Sequence, residues 1–155
     1  MQERFGNYLH ASIVLTATVE GMPLIYSGQE AGLDRPLKFF DKDLIEWKSH
    51  PIGDLYRTLL ALKKRNPALW NGAWGSHMLP VGNSAAESVI SYRRQRGDDR
   101  VLVAINFSGD KQVFSLKGKE HLGAYQDVFS GESKSVEEAT QLELAPYGYL
   151  VLSTR

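Results

Sequence analysis

The 155-residue chain contains no cysteine. That excludes disulfides, thiolate metal sites and a cysteine nucleophile, and it leaves the redox compartment undecided. Excess charge is also lacking: Lys+Arg and Asp+Glu number 18 each. A neutral chain gives no reason to expect nucleic acid or an anionic membrane as partner. The basic clusters Lys63-Lys64-Arg65 and Arg93-Arg94, with Arg96 nearby, read as solvated surface. The first lies at a helix end, where cations complement the dipole, and the second beside a turn with Asp98 and Asp99. A long apolar run is missing too. Ala11 to Val19 is broken by Ser12, Thr16 and Thr18 and is much too short to cross a bilayer. The first seven residues hold no apolar signal core. The chain therefore reads as soluble, without a signal peptide, its compartment left open. Its four histidines have no metal-ligand spacing, and there is no internal repeat or low-complexity tract.

What is present divides near Asn71-Gly72. Asn7 to Glu20 reads as a helix apolar nearly all round, which asks for burial on most sides, with Gly21 as its stop. Met22 to Tyr26 is a short apolar run between glycines, the pattern of a strand buried on both faces as in a parallel sheet. Ser27 to Ser49 is a long irregular segment, a length often tied to function. Ser49-His50-Pro51 reads as a helix start, Ile52, Leu55, Tyr56, Leu59, Leu60 and Leu62 make one apolar stripe, and Asn66-Pro67 ends it. Beyond Gly72, strands are expected at Ser88 to Arg93, Arg100 to Asn106, Gln112 to Leu116, Tyr125 to Phe129, Gln141 to Leu144 and Tyr149 to Ser153. Polar turns at Gly97-Asp98-Asp99 and Ser108 to Lys111 lie between the first of them. Such spacing predicts an antiparallel sandwich.

Gly21-Met22-Pro23-Leu24-Ile25-Tyr26-Ser27-Gly28-Gln29-Glu30 resembles the G-x-P-x-x-Y-x-G-x-E segment of the α-amylase family, found at the eighth strand of its (β/α)8 barrel. All five defining positions match. Phe39 to Trp47 resembles the next stretch in bacterial members, Tyr56 to Leu69 the last barrel helix, and Asn71-Gly72 the exit into the C-terminal domain. Leu144 to Leu152 is similar to that domain's final strand. The resemblance covers essentially the whole chain, in order. It implies an α/β remnant of a (β/α)8 barrel over residues 1–70 and an antiparallel β-sandwich over 71–155.

The family is a retaining one, which needs two carboxylates about 5 Å apart. Its members use an aspartate nucleophile on the fourth strand, a glutamate acid/base on the fifth and a further aspartate after the seventh. The chain resembles only the family's portion beyond the seventh strand, so no catalytic residue is carried over and the chain alone is expected to be inactive. The parent would act on α-glucosidic bonds of starch or maltooligosaccharides. Glu30, Asp34, Asp41, Asp43 and Glu46 share the long loop, but nothing in the sequence holds two of them at a set distance.

Candidate substrate-binding residues are Gln29, Tyr26, Glu30 and Trp47. Gln29 is the better candidate for touching sugar. Glu30 reads more readily as a carboxylate satisfied by backbone at the strand end. Trp47, Trp70 and Trp74 have faces suited to sugar rings, although tryptophans near junctions more often fill them. Family members often bind calcium, mainly through segments without a counterpart here, so no cofactor or metal is expected. The alternative is a non-catalytic carbohydrate-binding or structural module, with Tyr92, Phe107, Tyr125 or Phe129 against glucan. An eighth strand without barrel neighbours has open edges, which predicts self-association through the orphaned elements.

Overall fold

The computed structural model describes residues 5–154. Two α-helices lie in the first half of these residues: α1, Leu9–Thr18, and α2, Pro51–Arg65. Helix α1 ends at Thr18, three residues ahead of Gly21. Its last residue, Thr18, turns its hydroxyl back onto the Val14 carbonyl at 2.6 Å, and Val19 is already extended. Helix α2 carries the predicted stripe: Ile52, Leu55, Tyr56, Leu59 and Leu62 are buried. Its N-cap is His50 rather than Ser49, because the imidazole Nδ1 accepts the Ile52 N–H at 3.2 Å, the bond usually supplied by a short polar side chain.

The second half of the described residues holds nine strands: β1 Leu79–Pro80, β2 Gly82–Asn83, β3 Val89–Arg96, β4 Asp99–Asn106, β5 Gln112–Lys117, β6 Gly123–Asp127, β7 Ser133–Val136, β8 Gln141–Leu144 and β9 Tyr149–Ser153. They form a six-stranded sheet ordered β1-β3-β4-β9-β6-β7 and a three-stranded sheet ordered β2-β5-β8, with every pairing antiparallel. The register Arg96↔Asp99 closes the β3–β4 hairpin on two residues, and Gly97, at φ 57, supplies the left-handed position that such a tight turn requires. The short strands β1, β2 and β7 carry no apolar alternation, and β6 begins two residues earlier than expected.

The central strand explains the layering. Val101 through Asn106 are all buried, because β4 is covered on both faces. Val101, Val103 and Ile105 face a cluster with Ile13, Val14, Leu59 and Leu62 of the helices. Leu102 and Ala104 face Phe114, Leu116, Leu142 and Leu144 of the smaller sheet. The order is thus helices, large sheet, small sheet, and each fully buried Val or Leu contributes about 1.5–3 kcal/mol. Tyr92 of β3 sits under α1, its hydroxyl 2.6 Å from the Thr18 hydroxyl, and burial pushes its pKa up to about 12.

Two readings of the sequence are corrected here. Arg94 is not surface: it is 2% exposed. Its Nε and one terminal nitrogen donate to the Ser76 carbonyl at 3.0 and 2.7 Å. The remaining donors reach the carbonyls of Val19 at 2.9 Å and Trp70 at 3.0 Å, with Thr18 and Leu69 at 3.3 and 3.5 Å. Five donors in a fixed fork match these chain ends, where no regular ladder satisfies the carbonyls. Neighbouring Arg93 and Arg96 do remain on the surface side. The second correction concerns Met22 to Tyr26. The segment is irregular and pairs with no strand among the described residues. Met22 and Leu24 are 81% and 87% exposed instead of buried, since no neighbouring parallel strand among those residues lies on either side. Ile25 alone of its apolar side chains packs on the helix cluster.

Candidate functional site

The candidate residues sit on the segment between the helices. Past Tyr26 the chain turns through Gly28 and Gly32, both at positive φ, around a single 3₁₀ turn, Gln29–Ala31. At Gly32 any side chain would also collide with the His50 ring, 2.4 Å from where its Cβ would lie. Helix α2 presses on the same turn: a Cβ at Gly53 would stand 2.7 Å from the Glu30 carbonyl. The turn is therefore fixed by backbone contact with a rigid helix, and Gly28, Gly32 and Gly53 allow it.

That placement sets the side chains. The Gln29 amide oxygen accepts the Tyr26 N–H at 3.0 Å and faces the Tyr56 hydroxyl at 3.4 Å. One carboxylate oxygen of Glu30 accepts the Gly28 N–H at 3.1 Å, a backbone-bracing contact. Burial, and secondarily the Glu30 charge, raise the Tyr56 pKa above its ordinary value. Tyr26 and Gln29 share the wall of an open cavity of about 340 Å³ with Phe5, Ser27, Leu33 and Arg35. Glu30 and Trp47 are not on that wall. Trp47 stands exposed further along the loop.

A clamp that no periodicity announces shapes the rest of the loop. Arg35 grips Asp43 with both terminal nitrogens, at 2.6 and 2.8 Å, and also reaches the Leu44 carbonyl at 3.0 Å. The Lys38 N–H donates to the same carboxylate at 3.0 Å. The Arg35 bonds, helped by that N–H, hold the Asp43 carboxyl far below the usual carboxylate range. Such a group is no proton donor at neutral pH. The clamp closes a ring of nine residues whose tip, Phe39-Phe40, is almost fully exposed, the two rings edge to face at 4.9 Å. Asp41 and Glu46 lie beside Lys38 and Lys48 at 3.9 and 3.7 Å. Glu30, Asp41, Asp43 and Glu46 are thus engaged by local cations or backbone, an arrangement suited to shaping a surface. Among the described residues, no group of three or more His, Asp and Glu side chains converges as a metal site, and no helix is long and apolar enough to cross a membrane.

On the sandwich, Tyr92 and Tyr125 are buried and do not offer faces to a ligand. The Tyr125 hydroxyl donates to the His121 carbonyl at 2.7 Å, and Arg100 lies over its ring at 5.2 Å. Phe129 packs edge-on against Tyr149 at 5.2 Å.

Comparison with known proteins agrees with this architecture. Residues 79–151 match the family model of the maltogenic amylase C-terminal domain. Alpha-amylase 2 of Dictyoglomus thermophilum is 27% identical over 136 residues, 79% of this chain and 22% of that protein. A maltogenic α-amylase from Thermotoga neapolitana superposes with a TM-score of 0.77 at 23% identity, over 96% of this chain and 36% of its own. A cyclomaltodextrin glucanotransferase of three-domain organisation does so with a TM-score of 0.72 at 25% identity, over 95% of this chain and 32% of its own. The chain spans about a fifth of the length of the first relative and about a third of the two solved structures.

Proposed function

We propose that this chain, a relative of the C-terminal part of α-amylase-family enzymes, works as that part of an enzyme acting on α-glucosidic bonds of starch-like glucans. In this reading Met22 to Tyr26 is the last stave of a (β/α)8 barrel. The observation that carries it is the exposure pattern of the segment. Met22, Leu24 and Tyr26 are exposed and alternate with Pro23 and Ile25, which are half-buried. Period two with apolar residues outward is the pattern of a strand whose neighbours lie outside the described residues. Tyr26 and Gln29 would then edge the sugar cleft, with Glu30 bracing the turn. Trp47 stands further along the same loop as a candidate contact.

In this reading the acid and nucleophile carboxylates belong to the rest of the enzyme, and the chain alone is inactive. Incubation of the purified chain with soluble starch and maltooligosaccharides tests this. Reducing-sugar release no greater than in a mock preparation is the expected result, and release above it overturns the assignment of inactivity. The exposed row also leads us to propose self-association of the isolated chain, with Met22, Leu24 and Tyr26 covered by a second copy. A non-catalytic carbohydrate-binding or structural module is the second reading, and the exposed tryptophans of the helix–sandwich junction favour its binding form.

A further inference from the structure

Between α2 and β1 the chain makes two 3₁₀ turns, Pro67–Leu69 and Gly72–Trp74. Trp70 and Trp74 sit on this connection. Neither fills the junction: Trp70 is 40% exposed and Trp74 71%. Both are nevertheless held. The Trp70 indole N–H donates to the Lys64 carbonyl at 3.2 Å, which fixes the ring plane. The turn carrying Trp74 is pinned by Arg96, which donates to the carbonyls of Ala73 at 2.8 Å and Gly75 at 3.0 Å. Buried Arg94 holds the Trp70 carbonyl from below.

Beside Trp70 is an open cavity of about 320 Å³, walled also by Gly72, Ala73 and Gly75 of the pinned turn, with Trp74 on that turn but outside the wall. Its rim carries a carboxylate and an imidazole: Glu20 and His77 meet at 3.2 Å, and the Glu20 carboxylate also takes the Met78 N–H at 2.8 Å. That N–H, with His77, holds the Glu20 carboxyl below its ordinary pKa, so the carboxylate is ionised at neutral pH, with the Arg94 guanidinium on the same wall. An exposed indole on a rigid turn suits the apolar C–H face of a sugar ring, and a fixed carboxylate accepts from sugar hydroxyls. The volume lies at the small end of ligand pockets, room for a chain end rather than for a long glucan.

We propose that the junction face formed by Trp70 and Trp74, with the Glu20–His77 pair on its rim, is a surface site that binds the end of an α-glucan chain. It lies apart from the Tyr26–Gln29 cavity, which has no lining residue in common with it. The choice of an α-linked glucan rests on the function proposed above, while the site itself rests on the geometry. It would tether the polymer without acting on it.

The test is a calorimetric titration of the full 155-residue chain with maltoheptaose, and separately with cellohexaose, up to millimolar sugar. Saturable binding of maltoheptaose is expected, weakened about tenfold or more by Trp74→Ala and retained by Trp74→Phe. Glu20→Gln is expected to weaken it less, and Val113→Thr, at an exposed position on β5 outside both cavities, to leave it unchanged. Because Trp74 is exposed, its variants should fold, which a circular dichroism melt verifies. Absence of binding to either sugar, or binding that Trp74→Ala leaves unchanged, overturns the site. Binding of cellohexaose in preference, still dependent on Trp74, keeps the site and overturns its assignment to α-glucans.

Discussion

Replacing Arg94 with methionine removes a buried cation while keeping most of its stem volume. Three carbonyls lose well-aligned bonds: Val19 at 2.9 Å, Trp70 at 3.0 Å and Ser76 at 2.7 and 3.0 Å. Thr18 and Leu69, at 3.3 and 3.5 Å, contribute little. A buried carbonyl left without a partner costs about 1–3 kcal/mol. The neighbouring cavity opens to solvent and has Arg94 and Ser76 on its wall, so water restores part of this. Burying the guanidinium was itself unfavourable, which lowers its pKa from the ordinary value despite the nearby Glu20 charge. The balance for Arg94→Met is a loss of about 3 kcal/mol, near the low end of the roughly 3–5 kcal/mol seen on breaking buried charged contacts. For a chain of this size that lowers Tm by about 6–12 °C. Arg94→Lys keeps the charge but not the fork, and should lose roughly half as much. Urea unfolding followed by tryptophan fluorescence measures both. A loss below about 0.5 kcal/mol for Arg94→Met, with an unchanged slope in urea, would refute the view that this residue ties the helices to the sandwich.

The remaining predictions concern other parts of the chain. Gly75→Ala would place a Cβ 1.7 Å from the Trp70 carbonyl oxygen, so it should destabilise by about 1–3 kcal/mol, and an unaltered thermal melt would contradict this. His121 is buried with its Nε2 unpartnered among the described residues, and burial lowers its pKa from 6.5, Glu120 opposing and Arg93 assisting. The unfolded chain then binds the proton more readily. The stability due to neutral His121 is fully present above about pH 6.5 and falls as pH drops below it. His121→Gln should flatten a Tm series between about pH 8 and pH 5, and an equal fall in both proteins counts against it. Asp43→Asn should speed proteolysis between residues 35 and 44 while barely moving Tm, because the Arg35 clamp orders an exposed loop. Light scattering at micromolar concentration should show association that Leu24→Asp reduces, and a clean monomer for the parent chain would remove the case for self-association.

Much of the fold was readable in the residues because local rules and tertiary demands agreed. The stripe from Ile52 to Leu62 has one apolar face, so α2 could form only with that face inward. The turn at Gly97-Asp98 set the register of β3 on β4. Strands β1, β2 and β7 escaped notice because each is two to four residues long and is held by pairing rather than by its own side chains. Val101 to Ile105 announced burial but not its cause, since an unbroken apolar run does not say what covers its second face.

The sequence by itself determined the family resemblance, through Gly21, Pro23, Tyr26, Gly28 and Glu30, and the order of helices and strands. Those depend on backbone freedom and side-chain periodicity, which are local. Tertiary structure alone decided that Arg94 is buried, that Met22 to Tyr26 lies open, and that Trp70 walls a cavity and Trp74 stands exposed instead of filling the junction. Each of these depends on what lies across space from the residue. Arg94 is buried because carbonyls from three separate stretches, at Thr18-Val19, Leu69-Trp70 and Ser76, converge on it. Met22 and Leu24 are exposed because no strand among the described residues stands beside them.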